Sequence, residues 1–490
     1  MRRPATVGLS FMLFPRTLPK AIGLVGGLLV TLTLWWWLAP PELIRVGAGY
    51  TAKIVCSNVF IAARDPVEVL KTDVQAPGHP LLRLMRVSVD RERHVVRAGL
   101  MGFLGNGLAV FRPGAGCTVV PDGKWEALRA TDSVLPPGGA SVAKSNLDGH
   151  AEWPSGEGDV RQPDAGVARV IDNDVFAGPG MRAVVVIHEG HLIAERYARG
   201  FDRRTPQLGW SMTKTVTAGL VGILVKDGRL TLNQSAGLKG GGREKVRVAD
   251  LLAMSSGLEF NEGYGAVSDV TRMLYLEPDM AAFAGSKPLI HGVGDTWSYS
   301  SGSAVIVSRV FQDAAGPRAL WLARTRLFDI LGMTSAVIET DEKGTLVGSS
   351  YMYATPRDWA RYGQFLLQDG MWQRQEILPR GYVAMMVSPV EASGGEYGHG
   401  LLWRWATHSD KPVENPDFSM VIPADTFWML GHDGQSVAVI PSRELVIVRM
   451  GLTPARTDYR PEPLVQAVLR AVTSDPRVKP VSGVRDESPQ

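Results

Sequence analysis

Leu208-Gly-Trp-Ser-Met-Thr-Lys-Thr-Val-Thr-Ala-Gly-Leu220 is the stretch whose reading decides this chain. It joins a polar approach, Asp202 to Pro206, to an apolar run. Val216, Leu220, Val221, Leu224 and Val225 recur there at helical spacing until Asp227-Gly228 supplies a stop. The pattern predicts a buried helix with Ser211 in its first turn and Lys214 one turn on, on the same face. A serine hydroxyl attacks only when something takes its proton. A lysine within hydrogen-bond reach does so once burial and neighbouring positive charge lower its pKa. The first turn also leaves backbone N–H groups free to face a developing oxyanion. Ser-x-x-Lys is a common pattern, and Ser141-Val-Ala-Lys144 matches it too. That copy lies between Pro136-Pro-Gly-Gly139 and Asp148-Gly149 without periodicity, so Ser141 reads as a loop residue. Motif and context alone leave Ser211 open between catalysis and an ordinary helix start.

Just upstream, Met181–His188 and His191–Tyr197 flank Glu189-Gly190 and read as a β-hairpin. His188 and His191 are spaced across that turn and not along a helix, so no metal site is expected. Downstream, Val246–Leu258 reads as a short helix closed by Gly257, and Ala319–Leu331 and Ala354–Gln368 as further helices. Trp428–Leu430, Ser436–Pro441 and Leu445–Gly451 read as buried strands, and Pro463–Val472 as a last helix. Strands at both ends with helices between predict an α+β domain, one antiparallel sheet covered by a helical region.

Two further stretches carry chemistry. Gly294-Asp-Thr-Trp-Ser-Tyr-Ser-Ser-Gly302 presents Tyr299 from a loop ahead of an apolar helix that starts near Ala304. A tyrosine beside an ammonium can be driven toward phenolate and shuttle a proton; by itself it is equally a packing residue. Gly431-His-Asp-Gly-Gln435 enters the strand at Ser436, where glycine permits close approach of a ligand or backbone; by itself it is a polar turn.

Taken together, Ser211-x-x-Lys214, Tyr299-x-Ser301 and His432-x-Gly434 stand in the order found in the penicillin-recognising serine hydrolases. Residues 168–473 resemble the class C β-lactamase superfamily and within it the 6-aminohexanoate-dimer hydrolase and esterase branch. The resemblance extends through Gly209–Lys214, Ser255-Ser-Gly-Leu258, Gly348–Ala360 and Gly431–Gln435. It implies a β-lactamase-like fold and an acyl intermediate on Ser211, with Lys214 helping to deprotonate it and Tyr299 as general acid/base. It also implies an oxyanion hole from the N–H groups of Ser211 and Gln435, and substrate contacts from Ser301, His432, Asp433 and Gly434. His432-Asp433 replaces the Lys-Thr pair that binds a β-lactam carboxylate, and Ser301 replaces the usual asparagine, so ester or linear-amide cleavage is expected over β-lactam hydrolysis. The competing readings are a D,D-peptidase or β-lactamase and a non-turnover binding or sensor module. An α/β-hydrolase fits poorly, because Gly209–Thr213 lacks the second glycine of that fold's nucleophile turn. No cofactor or metal is implied.

Composition bounds the rest. At 490 residues, 45% hydrophobic and a net charge of +3 with no long basic run, nothing points to nucleic acid. Arg2, Arg3, Arg16 and Lys20 precede the uncharged segment Ala21–Ala39, which closes on Trp35-Trp-Trp37 and would span about 28 Å as a helix. Residues 1–41 are therefore expected as a cytoplasmic N-terminus and membrane anchor, with the catalytic part in the periplasm or exterior. Cleavage near Val46-Gly-Ala48, releasing a secreted protein, is the alternative. Residues 42–135 read as a small, mostly β module, 136–167 as a linker and 474–490 as a disordered tail. Cys56 and Cys117 are a disulfide or two buried thiols. Tyr264, Tyr397, Trp403 and Trp405 are expected in pocket loops. The substrate, the role of residues 42–135 and the oligomeric state are not legible.

Overall fold

The computed structural model describes residues 40–129, 151–160, 162–400, 402–404 and 422–473. The expected membrane segment 21–39, Ser141, Lys144, Trp405 and the tail 474–490 lie outside them. Among the described residues, no helix is long and apolar enough to cross a membrane.

The central element is a six-stranded antiparallel sheet. It comprises β5 (Met181–His188), β6 (His191–Tyr197), β10 (Trp403–Arg404), β11 (Phe427–Gly431), β12 (Gln435–Ile440) and β13 (Leu445–Gly451), in the order β10-β11-β12-β13-β5-β6. The hairpin expected at Glu189-Gly190 is present, both residues at positive φ (49° and 76°), the geometry that suits strand twist. Every residue from Ala183 to Ile187 is fully buried, because the sheet is covered on both faces. On one face Val184 and Val186 pack with α2 (Ala165–Ile171) and α7 (Glu462–Thr473). On the other, Ala183, Val185 and Ile187 join the main core with α3 (Met212–Lys226) and α6 (Pro356–Leu367). Gly363 of α6 allows that approach, since a Cβ there would lie 2.6 Å from a Val446 methyl. A small sheet, β7 (Gln207–Leu208), β9 (Met352–Ala354) and β8 (Val337–Ile338), carries the chain into α3.

Residues 42–129 depart from the expected mostly β module. The four antiparallel strands are there: β1 (Met85–Asp90), β2 (Val95–Leu100), β3 (Leu104–Arg112) and β4 (Gly116–Val119). They are preceded by a 19-residue helix, α1 (Glu42–Phe60), with 14 residues buried. A helix covered nearly all round has no polar stripe, so its period is hidden. α1 lies close on β3: a Cβ on Gly107 would sit 2.1 Å from the Ala48 carbonyl oxygen. Cys56 of α1 and Cys117 of β4 form a disulfide.

The expected linker is also partly packed. Trp153 is buried, and the carbonyls of Pro154, Gly156 and Gly158 accept from Arg361 Nε, Arg361 Nη2 and Arg357 Nη1 at 3.3, 2.9 and 3.1 Å. The helix expected over Val246–Leu258 is confined to α4 (Val248–Leu252), because Met254 turns left-handed at φ 56°.

Candidate active site

Ser211 occupies the N-cap of α3, at φ −63° and ψ −13°. The residue before it, Trp210, is at φ 49°, a conformation costing about 1–3 kcal/mol for a bulky side chain. That turn swings the chain from β7 into α3, and nothing in the local sequence announces it. Met212 N and Thr213 N donate to the carbonyls of Gly209 and Trp210 at 3.2 and 2.9 Å. Among the described residues, no acceptor takes the Ser211 N–H.

Lys214, 1% exposed, donates to Ser211 Oγ at 3.0 Å, Ser301 Oγ at 3.1 Å and the Ser349 carbonyl at 2.9 Å. Burial lowers its pKa to about 8, against the opposing pull of the Glu262 carboxylate. Tyr299 sits on the loop before α5 (Ser301–Ala315), with Lys214 Nζ 4.8 Å from its ring centroid. Burial raises its pKa, a hydrogen bond with Ser211 works the other way, and Glu262 adds to the rise. The resting form is the neutral phenol, a proton donor, and not the phenolate.

Glu262 is a site residue that sequence reasoning missed. It accepts from Ser301 N at 2.9 Å and from Ser301 Oγ at 2.5 Å, so Ser301 turns its lone pairs to Lys214. Its neighbourhood, Asn261-Glu-Gly-Tyr264, is a periodicity-free loop that offered no signal. Glu262→Gln removes the charge that raises the Lys214 pKa. The acid limb of kcat/KM should move to lower pH and kcat should fall about tenfold, as for loss of one charged hydrogen bond. An unmoved limb would refute this coupling.

Gly431 brings the end of β11 against the approach to Ser211: a Cβ there would lie 2.3 Å from the Gly209 carbonyl oxygen and 2.8 Å from Gln435 Cβ. Gln435 commits its side chain to Gly451, accepting from Gly451 N at 2.8 Å and donating to its carbonyl. Gly431→Ala must push this strand away from Ser211. A lowered melting temperature from about 1–3 kcal/mol of overpacking, with kcat/KM down about 10²-fold, is the expected result. Wild-type kinetics in that variant would show the approach is not needed.

The His432-Asp-Gly turn keeps the His432 side chain 40% exposed beside Ser211's helix while Asp433 turns inward. The His432 ring stacks on Tyr264 at 4.8 Å and meets Trp210 edge-on at 5.6 Å. Asp433, left-handed at φ 59°, has a side chain only 12% exposed. Burial raises its pKa against the opposing charges of His432, Arg182 and Arg456. Gly434 faces Arg449, whose Nη1 donates to its carbonyl at 2.8 Å. Tyr397 stacks on Trp297 at 4.7 Å beside Tyr299, and Trp403 lies in β10.

A serine hydroxyl, a buried amine and a phenol converge at the head of one helix. A family model described as beta-lactamase matches residues 167–467, more than half of the chain. The chain belongs to the beta-lactamase family. Within it, 303 residues are 22% identical to the 6-aminohexanoate-dimer hydrolase of Paenarthrobacter ureafaciens, covering 56% of this chain and 72% of that protein. An uncharacterized protein of Alkalihalophilus pseudofirmus is 23% identical over 177 residues, 32% of this chain; the chain spans about half, 52%, of that relative. A solved structure from Bacillus anthracis, provisionally titled a 6-aminohexanoate-dimer hydrolase, aligns with a TM-score of 0.50 at 21% identity, over 62% of this chain and 80% of that one. At such identity the last likeness shows the fold, α+β and β-lactamase-like. The beta-lactamase-family assignment makes the chain a serine hydrolase.

Proposed function

We propose that the protein cleaves a small ester or linear amide through an acyl-Ser211 intermediate. The observation that carries this is the buried Lys214 amine 3.0 Å from Ser211 Oγ, with its pKa brought to about 8. Neutral Lys214 takes the Ser211 proton as Oγ bonds to the carbonyl carbon, and the N–H groups of Ser211 and Gln435 hold the oxyanion. The Tyr299 phenol gives its proton to the departing oxygen or nitrogen. The phenolate, offset by the Lys214 ammonium, then takes a proton from water as the hydroxide attacks the acyl group. Ser211 leaves with the Lys214 proton, and all three groups are restored.

The apolar segment 21–39 and the Cys56–Cys117 disulfide support an exported protein held at the cytoplasmic membrane with this site outside. Val46-Gly-Ala48 lies buried inside α1, which favours a retained anchor over cleavage there. His432-Asp433, standing where a β-lactam carboxylate would need a Lys-Thr pair, favours esters and linear amides over β-lactams. Mass spectrometry of the acid-quenched protein and of its proteolytic peptides, after mixing with p-nitrophenyl butyrate, tests the proposal. A butyryl adduct on the Ser211 peptide supports it; turnover without that adduct, or neither, refutes it, and neither returns the non-turnover reading.

A further inference from the structure

The family match begins at residue 167, yet the N-terminal unit reaches the catalytic lysine through one buried carboxylate. Glu339 follows β8 and is fully buried. Among the described residues, the hydrogen-bond partners of its carboxylate all come from the N-terminal unit. Lys53 of α1 forms a fully buried ion pair with it, Ser57 Oγ donates to Oε1 at 2.8 Å, and Cys117 N donates to Oε1 at 2.6 Å. Ser57 adjoins Cys56, so the disulfide fixes two of the three donors relative to each other. Gly116 completes the fit, since a Cβ on it would lie 2.5 Å from Glu339 Cγ.

The backbone of Glu339 leads on to the site. Its N–H donates to the Tyr351 carbonyl at 2.8 Å, and its carbonyl accepts from Val347 N at 2.9 Å. These two bonds bracket the turn 347–351, closed by Ser350 N and Tyr351 N donating to the Val347 carbonyl at 3.0 Å each. Inside that turn the Ser349 carbonyl accepts from Lys214 Nζ, and the Gly348 carbonyl accepts from Thr217 one turn along α3. Lys53 Nζ also lies 4.1 Å from the Tyr351 ring centroid, and that ring leans on Trp210 at 6.4 Å.

We infer that Glu339 is a positioning residue through which the disulfide-tied N-terminal unit fixes the 347–351 turn and so holds Lys214 against Ser211. This rests on the role given to Lys214 above. A buried ion pair is not needed for stability, because apolar replacement of both partners is commonly neutral. The pair here serves geometry, because its carboxylate gathers donors from α1 and β4 onto a segment that touches the reacting lysine.

The test is the double variant Lys53→Leu/Glu339→Leu, which strands no charge, in the full chain with its disulfide intact. Faster deuterium exchange at residues 347–351 is expected, with kcat on a p-nitrophenyl ester down about 10- to 100-fold and KM little changed. The acid limb should move to lower pH, as Lys214 loses a carbonyl acceptor. A cooperatively folded double variant with wild-type exchange, kcat and pH profile overturns the inference. If the double variant does not fold, Ser57→Ala, which deletes one neutral donor, decides by the same exchange measurement: faster exchange upholds it and unchanged exchange overturns it. Exchange is read without turnover, so a wild type inert on esters would count against acyl-Ser211 chemistry and leave the positioning result standing.

Discussion

Ser211→Ala should lower kcat on p-nitrophenyl acetate by about four to six orders of magnitude, the loss seen when a serine nucleophile is removed from an otherwise intact site. The variant should fold as the wild type does, since Ser211 is only half-buried and makes no side-chain cap to its helix. The remaining rate should approach that of the ester in buffer plus what binding and the oxyanion donors supply. Steady-state kinetics on both proteins, with circular dichroism melts alongside, checks this. Equal activity in the two would place the chemistry elsewhere in the chain.

Lys214→Met should cost about 10²- to 10⁴-fold in kcat, the range for loss of a general base, while raising stability at neutral pH. The second half follows from the sign of its titration. The amine has a pKa near 10.5 in water and about 8 in the fold, so at pH 7 it is charged in both states and the folded state bears the burial penalty. That penalty is about 3 kcal/mol by the pKa difference. Between about pH 8 and 10.5 the unfolded chain holds the extra proton, so this group makes stability rise with pH there. The methionine variant should be more stable than wild type at pH 7, with the advantage shrinking through that window. Wild-type kcat/KM should climb toward a plateau above about pH 8. Denaturant midpoints of the two proteins at pH 7 and pH 10 decide it, and a constant difference between them would show that Lys214 is not held as a strained ammonium.

How much of this was legible depended on whether a residue's role was written locally. Ser211 and Lys214 stood out because α3 is apolar at helical spacing after a polar approach, and the hairpin at Glu189-Gly190 because two-residue turns have a narrow chemistry. The strands β11 to β13 were legible as apolar runs. Glu262 was not, because its function exists only through Ser301, 39 residues on. The left-handed Trp210 was not, because its ring neighbours, Tyr351 and His432, come from far along the chain. α1 was not legible because burial nearly all round leaves no polar stripe at helical spacing, and Lys53 and Glu339, 286 residues apart, show their pairing only in space.

The order of strands in the large sheet bears on how the chain is made. β5 pairs on one side with β6, its immediate neighbour, and on the other with β13, where His188 faces Leu445. At a synthesis rate of about 5–20 residues per second, the ribosome needs about 13–50 s after making His188 before Leu445 exists. Through that interval the apolar strand Ala183–Ile187 has one hydrogen-bonded flank and one open edge, the arrangement most exposed to pairing with a neighbouring chain. Nascent copies should therefore need a chaperone or prompt translocation, and a circular permutant placing β13 directly before β5 should fold without one.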